Sequence, residues 1–183
     1  LFLLAALFCA CISYAQIRVQ ERLPKSKTGF ALTTAKTRAK IYYDVNDALV
    51  IKRSAELFAR DIQMVTGQKP ELIPKRERAK ALVIVGTIEK NQWICELAQK
   101  GKIDIRPLQG AWERYLIQTV DNPSPGVAKA LVIAGSDRRG AAYGLFSISE
   151  MMGVSPWYWW GDVPVKTHKA LYVDAPPTYS KTP

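Results

Sequence analysis

Two apolar stretches decide the fold, Ala81-Leu82-Val83-Ile84-Val85-Gly86 and Leu131-Val132-Ile133-Ala134-Gly135. Unbroken aliphatic runs of this length are typical of strands that are covered on both faces, because a strand with one wet face alternates apolar and polar residues. Each run is followed by a segment of helical periodicity, about Asn91–Gln99 after the first and the stretch beyond Asp137 after the second. The sequence therefore predicts an α/β fold, a mixed β-sheet flanked by helices, with the two runs as its central strands.

The segments on the amino-terminal side of the first run continue this alternation. Ala39–Asp44 is β-branched and aromatic, which predicts a short strand. Apolar residues recur at three- and four-residue steps from Val50 to Val65, which predicts a long amphipathic helix that ends at Gly67. Lys69–Pro74 predicts a second brief strand.

The segments on the carboxyl-terminal side add strands of another kind. Ala111–Val120 has alternating side chains and predicts an antiparallel or edge strand, and Asp121–Gly126 predicts a turn from its composition. After the second run we expect Asp137 to cap a helix with Phe146 on its buried face. Ala170–Val173 predicts a last short strand.

The domain organisation follows from composition. Residues 1–15 are apolar and uncharged and end in Ser13-Tyr14-Ala15, which is typical of a signal peptide, here partial because no Met or basic segment precedes it. We expect a secreted or periplasmic protein without a membrane span. Residues 16–38 predict a basic lead-in, 39–175 an α/β N-terminal domain and 176–183, with three prolines, a linker toward an absent catalytic barrel.

The formal net charge of +10 is concentrated near the amino terminus, where residues 16–40 hold seven Lys/Arg and one acid, Glu21. A basic stripe can indicate nucleic-acid binding, but only one aromatic residue, Phe30, lies among these charges and an exported protein seldom meets nucleic acid. We expect a solvated segment with some attraction for acidic polysaccharide and no nucleic-acid partner.

Motifs for cofactor or metal chemistry fail on inspection. Gly135–Gly140 has the glycine spacing of a phosphate-binding loop but lacks its Lys-Ser/Thr, and Asp137 stands where a dinucleotide fingerprint has a second glycine. Cys95 is the one cysteine beyond the predicted signal and fits a small buried hydrophobe. The single histidine, His168, lies in a polar stretch and is expected at the surface. The sequence predicts no cofactor, no metal site and no catalytic residue in this chain.

The aromatic stretch Ser155–Pro164 (Ser-Pro-Trp-Tyr-Trp-Trp-Gly-Asp-Val-Pro) is the unusual feature, since it holds three of the five tryptophans. Tryptophan faces suit the apolar faces of sugar rings, and loops on a rigid scaffold commonly carry binding residues. The alternative is that these rings plug the base of the sheet or a domain interface, and the spacing leaves both interpretations open.

These residues carry a resemblance to a known family. Leu131–Pro164 looks closely like the N-terminal domain of glycoside hydrolase family 115, the xylan α-1,2-glucuronidases, and Ala111–Gly126 is similar as well. The resemblance covers about 41–183 and extends to the α/β domains that precede the barrels of family 67 glucuronidases and hexosaminidases. It implies that the chain is a fragment of an enzyme that removes (4-O-methyl-)glucuronic acid from glucuronoxylan with inversion. The fragment is expected to be inactive, because in the family the catalytic acid and base lie on a downstream (β/α)8 barrel. Inversion requires two carboxyl groups about 6.5–9.5 Å apart.

The resemblance also suggests a role for the aromatic stretch. Trp157 and Trp160 become the candidate substrate-binding residues, at the edge of the sugar pocket, while Tyr158 or Trp159 packs inward. The partners implied are glucuronoxylan or its oligosaccharides and the downstream barrel. The competing hypothesis is a non-catalytic carbohydrate-binding or interaction module.

Overall fold

The computed structural model describes residues 16–181, apart from the side chain of Trp159. The predicted signal peptide, residues 1–15, lies outside the described residues, as do the last two residues of the predicted linker.

Nine strands and four helices follow one another in the described chain. The strands are β1 (Arg18–Gln20), β2 (Gly29–Thr33), β3 (Lys40–Tyr43), β4 (Leu72–Ile73), β5 (Ala79–Thr87), β6 (Tyr115–Ser124), β7 (Val127–Gly135), β8 (Leu171–Asp174) and β9 (Thr178–Tyr179). The helices are α1 (Leu49–Thr66), α2 (Gln92–Gln99), α3 (Arg138–Met151) and the single turn α4 (Tyr158–Gly161), with a 3₁₀ turn at Arg106–Leu108.

A six-stranded mixed sheet in the order β4-β3-β5-β7-β6-β9 forms the centre of the domain. β5 pairs in parallel with β3 on one side and with β7 on the other, and β7 pairs antiparallel with β6. The prediction that 81–85 and 131–134 are the central strands is confirmed, and so is the antiparallel strand, which begins at Tyr115 rather than Ala111.

Side chains on the two faces of this sheet belong to two separate cores. On one face Val83, Val85 and Ile133 pack with α1, α3 and the strands β2 and β8. On the other face Leu82 and Ile84 pack with α2 and with the segment around the 3₁₀ turn. The unbroken apolar runs are explained by this arrangement, since every residue of β5 from 82 to 85 contacts one core or the other. The predicted α/β class, a mixed sheet flanked by helices, is confirmed.

The basic stretch 16–38 is part of the fold, so the prediction of a solvated lead-in is wrong for much of it. β1 and β2 pair antiparallel with the two edges of β8, in a small second sheet of order β1-β8-β2. Phe30 and Leu32 alternate along β2 and are fully buried in the core beneath α1 and α3. The alternation of apolar residues in β2 is short and lies among Lys and Thr residues. The basic composition therefore masked the two-residue period that predicts a strand.

The tail and the predicted turn also differ from expectation. Residues 178–179, assigned to a linker, form β9 at the edge of the large sheet, where Tyr179 Oη donates to the carbonyl of Asp104 at 2.7 Å. β6 continues through most of Asp121–Gly126 with a bulge, and only the connection to β7 is a tight turn. Gly126 occupies that turn at φ +86°, a conformation that disfavours residues with a Cβ.

The helix predictions hold with one correction. Gly67 ends α1 at φ +71° and Asp137 caps α3, as expected, and Asn91 caps α2 by accepting from two backbone N–H groups. Ala141, Leu145 and Ile148 form the face of α3 that packs on the sheet. Phe146 follows Leu145 by one residue, so its side chain lies outside that face and is exposed.

Candidate functional site

The aromatic stretch leaves the end of α3 through two fixed residues. Gly153 adopts φ +91°, and the backbone N–H of Val154 donates to the carbonyl of Ser149 at 3.0 Å, which ties the start of the stretch to the helix. Ser155 then accepts twice, through its Oγ from the N–H of Trp157 at 3.1 Å and through its carbonyl from Tyr158 at 3.0 Å. This Ser-turn is why the tryptophans sit in a short helix and not in an extended loop.

The two candidate sugar-contacting rings are both exposed. Trp157 is 68% exposed and Trp160 is 84% exposed, whereas Tyr158 is half-buried. α4 places them three residues apart, and Asp162 ends the turn in the left-handed region. The structure therefore presents both candidate rings at the surface and turns Tyr158 toward the domain. Whether either tryptophan contacts a sugar stays a prediction.

A cleft of about 370 Å³ lies directly beside the stretch, between α1 and α3. Apolar groups line most of it, among them Leu57, Phe146, Pro156 and Tyr158. At its base the Oγ of Ser149 donates to Oδ2 of Asp61 at 2.7 Å. The volume falls within the range of about 300–1,000 Å³ that is common for small-ligand pockets.

Asp61 is the titratable group whose position the sequence did not reveal. It is 6% exposed, at a position of α1 that the periodicity did not place on the buried face. Burial raises the pKa of the Asp61 carboxyl, against the opposing effects of the hydrogen bond from Ser149 and the positive charge of Arg60. Asp61 thus links α1 to α3 beneath the cleft. The one hint in the sequence is that Asp61 lies next to Ile62, a predicted core position of the same helix.

The polar groups at the carboxyl edge of the parallel strands serve the fold. Asp47 accepts from the N–H of Thr87 at 2.7 Å and from its hydroxyl at 3.0 Å, which joins the start of α1 to the end of β5. Asp137 accepts from the N–H groups of Arg139, Gly140 and Glu113 at 2.8 Å each. Burial works against ionisation of Asp137, yet these three N–H groups together hold its pKa below the usual range.

The nucleotide hypothesis fails at the same place. The first free N–H groups of α3 are those that would hold a phosphate, and Asp137 already occupies them. A Cβ on Gly135 would lie 2.1 Å from the backbone N of Ala141, so this glycine allows the strand and helix to approach each other closely. The glycines of Gly135–Gly140 are explained by packing.

The remaining candidates have structural positions. The Sγ of Cys95 donates to the carbonyl of Ile88 at 3.2 Å, and burial raises the pKa of this thiol, so it is a poor nucleophile. His168 lies partly exposed, with Nδ1 2.7 Å from a carboxylate oxygen of Glu21. Residues 16–181 bring together no group of three or more His, Cys, Asp or Glu side chains that could hold a metal. No helix in that part of the chain combines the length and apolar character that crossing a bilayer requires.

Comparisons with known proteins bear on the fold. No protein-family model matches the chain, and no curated protein matches it. Among solved structures it is similar to a family GH115 4-O-methyl-α-glucuronidase with specificity for decorated arabinogalactans, at 27% identity and a TM-score of 0.65. The match covers 83% of this chain. The fold is GH115-like. The chain spans only 18% of the length of that enzyme chain, so it corresponds to one glycoside hydrolase-related domain.

Two further structures are similar at a lower level. One is CpGH84D, at 11% identity and a TM-score of 0.47 over 86% of this chain and 22% of its own. The other is the GH20 β-N-acetylhexosaminidase of Streptomyces coelicolor A3(2), at 13% identity and a TM-score of 0.45 over 89% of this chain and 25% of its own.

Proposed function

We propose that this chain is the N-terminal α/β domain of a secreted α-glucuronidase that removes (4-O-methyl-)glucuronic acid from xylan by hydrolysis, and that the domain alone is inactive. The observation that carries the proposal is the GH115-like fold, since one enzyme of that family matches 83% of the chain at 27% identity. The aromatic stretch that suggested the family from the sequence is exposed beside a cleft, as a surface with a partner would be.

The catalytic acid and base are proposed to lie on a barrel that follows this domain. The described acids support this division of labour, because Asp47 and Asp137 are committed to backbone N–H groups and Asp61 to a buried hydroxyl. A carboxylate held by fold-stabilising hydrogen bonds is poorly placed to exchange protons with a substrate.

The aromatic surface, formed by Trp157, Tyr158, Trp160, Leu57 and Phe146, is proposed to face that barrel. Soluble proteins rarely leave a contiguous apolar patch of this kind uncovered without a binding role. In this arrangement one tryptophan edge reaches the sugar pocket of the barrel while the rest of the surface packs against it. Glucuronoxylan and the barrel then share the surface as its partners.

The test is the release of glucuronic acid by the longer enzyme, that is, this domain together with the barrel proposed to follow it. Glucuronoxylan and a decorated arabinogalactan are supplied in parallel, because the similar GH115 enzyme is named for specificity toward the latter. Release from xylan supports the proposal as stated. Release from arabinogalactan alone would mean that the proposed reaction is right and the proposed substrate is wrong. Release from neither polysaccharide would refute the proposal.

A second candidate, a non-catalytic carbohydrate-binding or interaction module, is favoured by the exposure of Trp157 and Trp160. The two functions differ in what the 183-residue chain does alone. A module binds xylan without further domains, so retention of the chain in xylan affinity electrophoresis, abolished by Trp160→Ala, would favour the module. Retention that Trp160→Ala leaves unchanged, or no retention at all, would favour the enzyme domain.

A further inference from the structure

A groove on the surface of the described chain is not used by the proposed function. It has a volume of about 750 Å³ and lies at the amino edge of the large sheet, opposite the edge where α1 and α3 begin. The ends of four elements meet there, namely the start of β5, the end of β6, the start of β7 and the end of α2. Four cations line it, Arg78, Lys80, Lys100 and Lys102, and no acid does.

Three of these cations have no ion pair within residues 16–181. Arg78, Lys80 and Lys100 are exposed and belong to none of the salt bridges there. Lys102 donates to the carbonyl of Asn122 and so braces the bulged end of β6.

The acids that are close in sequence are engaged elsewhere. Glu77 pairs with Lys40 at 2.8 Å, and Asp121 pairs with Lys129 at 3.2 Å. Asp104, two residues beyond the fourth groove cation, pairs with Arg106 at 2.7 Å. Glu96, four residues before Lys100, pairs with Arg76 at 2.7 Å, and this contact, with a smaller contribution from the charge of Lys100, lowers the pKa of its carboxyl. The groove therefore concentrates positive charge that is only partly compensated, at Lys100, in a concave surface, and such a surface raises the local concentration of anions.

The backbone of the groove has a special conformation as well. Asn122 lies at φ +47° within the bulge, and Gly126 closes the turn at φ +86°. The stem of Arg78 lies across Gly126, where a Cβ would meet its Cγ at 2.8 Å. Bulges and left-handed residues occur often beside binding sites, because they redirect side chains that a regular strand would point elsewhere.

We propose that this groove binds a carboxylated polysaccharide through Arg78, Lys80 and Lys100. The identity of the ligand rests on the proposed function, since a domain of a glucuronidase acts beside uronate-bearing chains. The lining agrees with this ligand and disfavours single-stranded nucleic acid, because none of the groove residues is aromatic and base stacking needs aromatic platforms. The groove would hold an acidic polymer on this domain while a barrel cleaves side groups from it.

The experiment compares two charge-matched variants of the 183-residue chain. Lys80→Gln/Lys100→Gln removes two groove cations. Lys90→Gln/Arg138→Gln removes two exposed cations at the other edge of the sheet, about 30 Å away along β5, which also belong to no described ion pair. The probe is polygalacturonate at low ionic strength, with the methyl-esterified polymer as the uncharged control. Thermal melts of both variants verify that the fold is unchanged.

We expect the groove variant to bind polygalacturonate about 3- to 10-fold more weakly than the parent chain, from two exposed contacts of the usual strength. The control variant should change by less than about twofold on the same scale. Binding should vanish near 1 M NaCl, where the Debye length is about 3 Å, and the esterified polymer should not bind.

Equal losses in the two variants would show that net charge alone attracts the polymer, and would overturn the proposal. Tighter binding of a single-stranded oligonucleotide of equal charge would overturn the assigned ligand class. Failure here leaves the release of glucuronic acid by the longer enzyme untouched, because that assay reports on carboxylates outside the groove. The two proposals therefore fail separately.

Discussion

Replacing the exposed tryptophans tests whether the aromatic surface binds a ligand or only stabilises the fold, because the two roles predict different losses of unfolding free energy. Trp157 keeps about a third of its surface covered and Trp160 about a sixth. A tryptophan of about 250 Å² then has roughly 80 and 40 Å² buried, respectively. At about 25 cal/mol per Å², Trp157→Ala and Trp160→Ala should each cost no more than about 2 and 1 kcal/mol of unfolding free energy.

A matched control is available in the same chain. Trp93 is 1% exposed, meets Tyr42 edge-on with ring centroids 4.9 Å apart, and has the guanidinium of Arg76 4.9 Å from its ring centroid. Trp93→Ala should cost about 3–5 kcal/mol, as expected for a large buried aromatic. Urea denaturation of the 183-residue chain, followed by circular dichroism, measures all three variants on one scale.

The same two substitutions in the longer enzyme test the ligand role. If either ring contacts the sugar, kcat/KM for glucuronoxylan should fall about 2- to 10-fold, the equivalent of about 0.5–1.5 kcal/mol of stacking. If both variants instead lower the melting temperature and leave the kinetics of the folded enzyme unchanged, the surface is structural. That result would refute Trp157 and Trp160 as substrate-binding residues.

Further predictions concern the fragment and its polar groups. The purified fragment of residues 16–183 should release no glucuronic acid from glucuronoxylan above a buffer blank, and measurable release would contradict the proposed division of labour. Asp137→Ala should cost about 1–2 kcal/mol. Because the pKa of Asp137 is lowered in the folded state, its contribution is complete above the ordinary carboxyl pKa and is lost as the pH falls through the lowered value, so melts at pH 7 and pH 2 should differ from the parent by unequal amounts. Asp61→Asn should be neutral or stabilising at pH 7, since the raised pKa makes the parent lose stability as the pH rises through it; a large loss at pH 7 would mean that the charge itself is needed. Phe30→Ala should cost about 3–5 kcal/mol, and an unchanged denaturation midpoint would show that the basic stretch is not part of the core.

Sequence reasoning succeeded where one residue property was repeated over many positions. The runs at 81–85 and 131–134 predicted the centre of the sheet because burial on both faces leaves no polar position in a strand. Gly67 and Asp137 were found because a left-handed C-terminus and an N-cap each require particular residue types.

It failed where long-range contacts outweighed local composition. Phe30 and Leu32 lie among lysines and threonines, and only their pairing with β8, distant in sequence, makes their alternation meaningful. Asp61 carries no signal in the sequence, because charged side chains are usually exposed, and its burial comes with a hydrogen bond from Ser149 on another helix. The groove cations are scattered through the sequence at 78, 80, 100 and 102, so only the fold brings them together.

The small sheet has a consequence for biosynthesis. Both of its outer strands, β1 and β2, hydrogen-bond to β8, and Thr33 is followed by well over a hundred residues before Leu171 is made. At about 5–20 residues per second, a ribosome needs roughly 7–28 s to cover that interval. During this time Phe30 and Leu32 have no strand to pair with, although they are the apolar residues that seal one face of the large sheet. The amino-terminal strands therefore cannot pair until almost the whole domain has been synthesised. Until then the nascent chain exposes an aggregation-prone apolar segment, to which a holding chaperone is suited to bind.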